Sequence, residues 1–413
     1  MSKLQELINK LCPNGVEFKP LGDISNLSRG KVYGKDYISE HRGEYPVFSS
    51  QTVNDGELGK IDTYDYDGFY LTWTTDGAYA GTIFYRQGKF SITNVCGLIS
   101  LKVNFINLKF LYYWLSIEAP KHVYYGMGNP KLMSNQMTSI MIPVPPIEVQ
   151  EEIVRILDSF SDYAAELQAE LQARKQQYEY YRNLLLTFNP SAYGCGTDDE
   201  QKDGVTTWEG HNYKIEWKKM GEIGTFIRGK RFVRTDIMEQ GVPCIHYGDM
   251  YTYYGLYTNN TPTFLKEEKA QKMRFAQKND IVIVAAGENK DDLGNAVAWL
   301  GEKPAAVHDA CFIFRSNLYP NYISHICRSH NYHKQIKMFA NEAKICSVSG
   351  QDLQKVLIPV PEYELQIKIA SILDRFETLV NDLTNGLPAE IAAVKDQYEY
   401  YRNKLLTFKK LSA

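Results

Sequence analysis

Along two stretches of the chain, apolar residues recur at alternating steps of four and three. The first stripe is Ile153, Leu157, Phe160, Ala164, Leu167, Leu171, Arg174, Tyr178, Tyr181, Leu185 and Phe188. An a/d heptad kept up this long, interrupted only by Arg174, predicts one coiled-coil helix over 146–188, about 60 Å long at ~1.5 Å per residue. The second stripe is Ile369, Leu373, Phe376, Val380, Leu383, Leu387, Ile391, Val394, Tyr398, Tyr401, Leu405 and Phe408. One extra step of four, between Leu387 and Ile391, is a stutter that locally unwinds a supercoil. Gly386 and Pro388 sit there, so a kink or short break is expected. Two bars of this length are expected to pack antiparallel on each other. As separate core helices, each would be about three times the usual length.

The stripes belong to a long duplication. QYEYYRNLLLTF at 177–188 returns as QYEYYRNKLLTF at 397–408, and IPVPPIEVQEEIVRILDSF from Ile142 returns as IPVPEYELQIKIASILDRF from Ile358. The offset changes from 216 to 220 across the stutter. Two copies make a pseudo-two-fold molecule in one chain, not a solenoid.

Between the bars the pattern changes to short apolar or alternating runs bounded by Gly and Asp, which read as strands. In 16–140 these are GFYLTW, GTIFYR and VCGLISLKV, followed by a buried helix at 108–117 and the loop KHVYYGMGNPKLMS. The polar stretch NPSAYGCGTDDEQKDG (189–204) is a linker. The plan then restarts: IEWKKMGEI (215–223) matches VEFKPLGDI (16–24), and Arg228-Gly229-Lys230 matches Arg29-Gly30-Lys31 at an offset of 199. NDIVIVAAG and CFIFRS read as strands, and 322–340 as one helix. The fold class is therefore α+β: two mixed α/β heads joined by two long antiparallel coiled-coil helices. The expected divisions are a first head over 1–141, a helix over 142–188, a linker over 189–214, a second head over 215–357 and a C-terminal helix over 358–413.

The net charge of −3 argues at first against nucleic acid, but it is unevenly spread. Segment 147–188 carries 4 Lys+Arg against 8 Asp+Glu, and 362–408 carries 5 against 8. Segment 215–346 has 18 against 14, while 16–140 is balanced at 12 each. The acid lies on the bars and the second head is basic. Seven cysteines without a CxxC fit reduced thiols, and no apolar run reaches the length of a membrane span. The opening MSKLQELINKLCPNG has no signal-peptide pattern, so the cytoplasm is expected.

Head, helix, head and near-identical helix, with the paired IPVPP-x-E-x-Q and Q-Y-E-Y-Y-R-N-x-L-L-T-F blocks and the LGDI/MGEI openings, resemble the specificity subunit of type I restriction–modification systems. The resemblance covers essentially the whole chain. It implies that each head is a target-recognition domain for one half of a bipartite DNA site. The helices would then set the unread gap, about one turn or ~34 Å, and dock the partners. Those partners would be double-stranded DNA, two methyltransferase subunits and, where restriction accompanies modification, two motor-nuclease subunits. S-adenosylmethionine, ATP and Mg²⁺ would belong to the partners, with no cofactor in this chain.

No catalytic constellation competes with this reading. GTFIRGKR at 224–231 lacks the Ser/Thr of a phosphate loop, and NPSAY at 189–193 lacks the second proline of an adenine-methyltransferase motif. His325, Cys327, His330 and His333 have metal-like spacing but no cysteine knuckle, so they read as ordinary helix histidines and no metal is expected. The chain is expected to be non-catalytic by itself. Candidate DNA contacts in the first head are Arg29, Lys31, Lys35, Lys121, Tyr124, Tyr125 and Lys131. In the second they are Arg228, Lys230, Arg231, Arg234, His333, Lys334 and Lys344, with Arg228 to Arg234 the strongest group. Glu179, Arg182, Asn183 and their copies Glu399, Arg402, Asn403 are candidate partner contacts, because core packing does not require identity at outward positions. A coiled-coil adaptor with two protein-binding heads and a self-contained DNA-modifying enzyme remain as rivals.

Overall fold

The computed structural model describes residues 3–126, 128–188, 204–342, 345–382 and 384–411. Seven longer helices punctuate the chain: α1 (Lys3–Leu11), α2 (Leu108–Glu118), α3 (Ile147–Thr187), α4 (Pro320–Ile326), α5 (His330–Phe339), α6 (Tyr363–Asn381) and α7 (Leu387–Leu405). The first heptad stripe is one unbroken helix as far as Leu185, through Arg174, whose guanidinium bonds Gln177 Oε1 at 2.9 Å; Phe188 lies just past its end, at φ 48°. The second stripe is broken between α6 and α7, where the break was expected. There the Asp382 carboxylate accepts from Thr384 Oγ1 at 2.6 Å, Thr384 N at 2.7 Å and Asn385 N at 3.2 Å, and these bonds, the threonine hydroxyl's first, hold it down at about 2. A Cβ at Gly386 would lie 2.4 Å from Thr378 O, so only glycine lets the chain turn back there.

The single helix expected over 322–340 is two helices. Ser329 ends the first by donating to Ile326 O at 2.7 Å, and its oxygen then caps α5. The stretch 189–203 lies outside the described residues, as do most of the expected linker, the NPSAY motif and Cys195. Strand structure resumes at Gly204, inside the stretch expected as linker.

By packing, the chain divides into two compact units, one of residues 1–168 with 390–413 and the other of 169–389. Each head thus carries the beginning of the helix that follows it and the QYEYYRN block of the other copy. In the first unit β1 (Glu17–Pro20) pairs antiparallel with β8 (Met141–Val144). Between them lies a six-stranded sheet of β2 (Ser25–Arg29), β3 (Arg42–Phe48), β4 (Glu57–Ile61), β5 (Tyr66–Thr74), β6 (Ile83–Ile92) and β7 (Cys96–Leu101), in the order 2-7-5-6-3-4. All its pairings are antiparallel except β3 with β6. Trp73, fully buried, anchors the core with Leu71, Ile99, Leu111 and Leu115, and its Nε1–H donates to Leu132 O at 3.0 Å.

The second unit repeats this plan. β10 (His211–Lys219) pairs with β23 (Leu357–Pro361) and with β9 (Gly204–Trp208). One five-stranded sheet orders β11 (Gly224–Arg228), β21 (Cys311–Ser316), β17 (Ile281–Val284), β19 (Ala296–Trp299) and β14 (Tyr257–Thr258). A second orders β12 (Ile237–Met238), β15 (Thr263–Leu265), β13 (Val242–Ile245), β20 (Ala305–Val307) and β16 (Phe275–Ala276). A small pair, β18 (Ala286–Gly287) with β22 (Cys346–Ser347), completes it. The parallel pairing of β13 with β20 is the counterpart of β3 with β6.

Helix and head are joined by matching polar contacts in the two units. Gln150, fully buried, donates to Pro145 O at 2.7 Å and accepts from Asn107 N at 2.8 Å; Gln366 does the same for Pro361 O at 2.8 Å and Tyr319 N at 2.9 Å. Asp158 takes Tyr113 OH and Lys109 Nζ, both at 2.6 Å, while Asp374 takes His325 Nε2 at 2.8 Å and Asn321 Nδ2 at 2.9 Å. Phe160 stacks on Tyr401 in one unit, as Phe376 does on Tyr181 in the other. These stripe tyrosines remain more than a third exposed, whereas Tyr178 is buried. Among the described residues no helix is long and apolar enough to cross a membrane, and the six cysteines are free thiols.

Candidate nucleic-acid interface

Both Arg-Gly-Lys stretches follow the strand that opens their head's main sheet, and both are built on one backbone frame. The chain passes so close to the neighbouring strand that a Cβ on Gly30 would lie 1.9 Å from Ile92 O, and one on Gly229 2.2 Å from His308 O. Glycine is required by this approach. Lys31 N then donates to Ile92 O at 3.1 Å, as Lys230 N does to Val307 O at 2.9 Å. Beside it a turn closes through Cys96 N to Thr93 O and Cys311 N to His308 O, both 3.0 Å. Each arginine braces that turn, Arg29 Nη1 at 3.4 Å from Asn94 O and Arg228 Nε at 3.1 Å from Asp309 O. GTFIRGKR is therefore a strand and a turn, not a phosphate loop.

On this shared frame the two heads carry different electrostatics. In the first, Lys31 forms an ion pair with Asp65, which Tyr33 OH also meets at 2.5 Å. Arg29 is half-buried, and burial pulls its guanidinium pKa down. In the second head, Lys230, Arg231 and Arg234 are exposed, and their side chains make no hydrogen bond or ion pair among the described residues. Arg231 lies near His308 and Arg234 near His246, in an aromatic group where the two imidazole rings are 5.0 Å apart and Phe232 and Tyr247 lie against His308. Burial pushes both imidazoles below the ordinary histidine range. Ala310 N–H donates to His308 Nδ1 at 3.2 Å, leaving Nε2 to donate to Phe232 O at 3.2 Å.

The remaining candidates are scattered. Lys35 lines a shallow cleft with Arg42 and Lys60. Lys121 is paired with Glu118 at 2.7 Å, and Tyr124 and Tyr125 are well exposed. Lys131 pairs through its main chain with Tyr124, which brings this loop beside Arg29, whose Nη2 is 3.5 Å from Met133 Sδ. Lys334 is exposed on α5, and Lys344 lies outside the described residues.

His333, on the same helix, is half-buried, and burial with neighbouring Arg328 and Lys337 pushes it down to about 4. It is neutral at pH 7. The unfolded chain takes up a proton near pH 6.5 that folded His333 refuses until about pH 4, so stability falls as pH drops through that window. The loss in melting temperature between pH 7 and pH 5 should be smaller in His333→Asn than in the parent; equal losses would refute this account.

On the helices, Glu179, Glu399 and Asn403 are exposed, but Arg182 and Asn183 do not point outward as expected. Asn183 Oδ1 accepts from His330 N at 2.9 Å, and Arg182 lies over the Tyr178 ring at 5.2 Å, as Arg402 lies over Tyr398 at 5.3 Å. Arg182 lines a polar cleft with Lys175, Arg328 and Glu377. Two residues the pattern missed are Tyr180 and Tyr400, exposed by 62% and 60% at matching positions. Their signal was available: identity in both copies at a site off the stripe.

The family model for the type I restriction modification DNA specificity domain matches residues 13–174 and 213–393. The chain belongs to this family. A putative type I specificity subunit of Mycoplasma pneumoniae is 31% identical over 385 residues, covering 93% of this chain and 95% of that one. The specificity subunit of type I restriction enzyme MpnII, from the same organism, is 43% identical over 190 residues, 45% of this chain and 57% of that one. The S subunit of a type I restriction–modification system from M. genitalium superposes with a TM-score of 0.54 at 15% identity, over the full length of both chains. A chain from a structural study of type I complex assembly superposes with a TM-score of 0.58, over 96% of this chain and 98% of that one, also at 15% identity. Both likenesses are of fold.

Within this specificity subunit, the part of the candidate interface that the sequence did not mark is the turn beside each Arg-Gly-Lys. Thr93-Asn94-Val95-Cys96 and His308-Asp309-Ala310-Cys311 share only the cysteine and lie 215 residues apart, not the 199 of the Arg-Gly-Lys pair. Neither motif nor offset marks them in the sequence. Their common hydrogen bonds do.

Proposed function

We propose that the chain reads a split DNA sequence, one half with each head, and that its helices set the unread gap and dock two methyltransferase subunits. The observation that carries this reading is the shared frame around Arg29-Gly30-Lys31 and Arg228-Gly229-Lys230. Two heads with little sequence in common hold cationic side chains on the same backbone. Lysine and arginine placed this way neutralise phosphates, and arginine also grips a guanine edge. The matching exposed pairs Glu179–Tyr180 and Glu399–Tyr400 offer two equal surfaces, which suits two copies of one partner. The chain itself is non-catalytic on this reading. S-adenosylmethionine is used by the methyltransferase subunits, and ATP with Mg²⁺ by any motor-nuclease subunits that join them.

The test is a map of methylated bases in a host without other adenine methylation, expressing this chain with a type I methyltransferase subunit from its own source. One split motif, methylated in both halves and absent without this chain, is the expected result. A stable complex that yields no new methylation would refute the reading and favour the adaptor. The spacer role has its own prediction. Deleting residues 385–388, at the break between α6 and α7, should change the length of the unread gap and leave both half-sites as they were. Altered half-sites would mean that the helices are not a passive spacer.

A further inference from the structure

We propose that the tip of the turn beside each Arg-Gly-Lys reads a base: Asn94 takes an adenine edge in one half-site and Asp309 a cytosine amine in the other. This rests on the DNA-reading role given above and names the residues by which the two heads differ. The frame is common to both. Thr93 N donates to Phe48 O at 2.8 Å and His308 N to Ile245 O at 3.2 Å, and Thr75 N and Ala285 N reach Val95 O and Ala310 O at 3.3 and 2.8 Å. With the turn closures and the arginine braces already described, the backbone places residues 94 and 309 alike, so only the side chain differs. The constant members, Arg29 with Arg228 and Lys31 with Lys230, suit what every DNA offers. The variable member at the exposed tip suits what differs between half-sites.

The chemistry of the pair is specific. Asn94 is exposed and presents a donor and an acceptor together, the set that matches adenine N7 and N6–H in the major groove. Asp309 is 35% exposed in its side chain and carries a carboxylate on the turn that Arg228 braces through its backbone carbonyl. A carboxylate turned toward phosphates would repel them, so its place on such a surface calls for a donor opposite. Cytosine N4–H₂ is that donor. The carboxylate keeps its acceptor capacity, because the ring nitrogen 3.3 Å away, His308 Nδ1, already accepts from Ala310 N. The arginines that brace the turns bond the backbone carbonyls of Asn94 and Asp309 and not their side chains, and Asp309 forms no ion pair with Arg228 among the described residues.

The experiment is the methylation map repeated with full-length Asp309→Asn and Asn94→Asp, each assembled with the methyltransferase subunit. Asp309→Asn should move one position of the second half-site from cytosine toward adenine by about tenfold or more, with the first half-site unchanged. Asn94→Asp should do the converse in the first. Should a variant leave no methylation, selection of randomised duplexes by the same complex reads the preference directly. Unchanged motifs in both variants would overturn the proposal, and so would a uniform weakening with no change of preference. If the parent chain itself directs no split motif, the DNA-reading role fails instead.

Discussion

Replacing Lys230, Arg231 and Arg234 together with alanine should flatten the salt dependence of DNA binding, lowering the slope of log K against log [salt] by about 3. The expectation follows from what these side chains do not do. Each is exposed, and none is engaged by a carboxylate among the described residues, so each is available to displace a counterion from the DNA backbone. At low salt the affinity should fall by about a hundredfold, equally for cognate and unrelated duplexes, because phosphate contacts carry no sequence information. Arg228 is left in place because it braces the Asp309 turn, and Arg274 Nη1 donates to its carbonyl at 2.6 Å. The same experiment on the first head should give less. Lys31 is already committed to Asp65, so Lys31→Ala removes a cation whose charge is locally balanced. Titration of the assembled complex against duplex DNA at several salt concentrations gives the slopes. An unchanged slope in the triple variant would remove this loop from the interface.

What the sequence made legible was whatever depends on period or on a residue with one backbone use. The 3.5-residue stripe marks α3 because an apolar seam must face one side. Gly386 and Pro388 mark the break after α6 because few other residues permit it. The split between α4 and α5 was hidden because Cys327, Arg328 and Ser329 include no breaker, and the chain turns there only through a serine cap. Several strands of the second head are two to four residues long, too short for alternation to show. The division into two units was hidden for another reason. It depends on which helix end packs on which head, a pairing that no local pattern records. Arg182 and Asn183 were misread as outward-facing on the same account: position on a heptad describes one seam, and the head supplies a second. In the candidate interface, Arg-Gly-Lys could be found by charge and repetition, whereas Asn94 and Asp309 are made equivalent only by hydrogen bonds between strands distant in sequence.

Gln150→Leu should destabilise the first unit by about 2–4 kcal/mol, although leucine fits the same space. The IPVPP-x-E-x-Q block carries this glutamine in both copies, and packing gives the physical reason. The helix after the block must leave the sheet edge at a fixed angle, and the turn that aims it exposes backbone groups no helix bond satisfies. Gln150 takes up three of them, donating to Pro145 O and Phe105 O and accepting from Asn107 N. Leucine strands those groups where water cannot easily replace the side chain, and each orphaned buried group costs about 1–3 kcal/mol. The cost reaches beyond the turn. Asn107 caps α2 by accepting from Lys109 N and Phe110 N, and α2 carries Tyr113 and Lys109 to Asp158 one helical face further along α3. Loosening Asn107 therefore loosens the seat of the long helix on its head. Gln366→Leu should do the same to the second unit through Tyr319 N and Pro361 O, with a smaller loss because two groups are orphaned instead of three. Hydrogen exchange in urea separates the two, since protection should drop in residues 1–168 for the first variant and in 169–389 for the second. A loss below about 1 kcal/mol in Gln150→Leu would mean that water or backbone movement satisfies the turn, and that the repeated glutamine is kept for some reason other than aiming the helix.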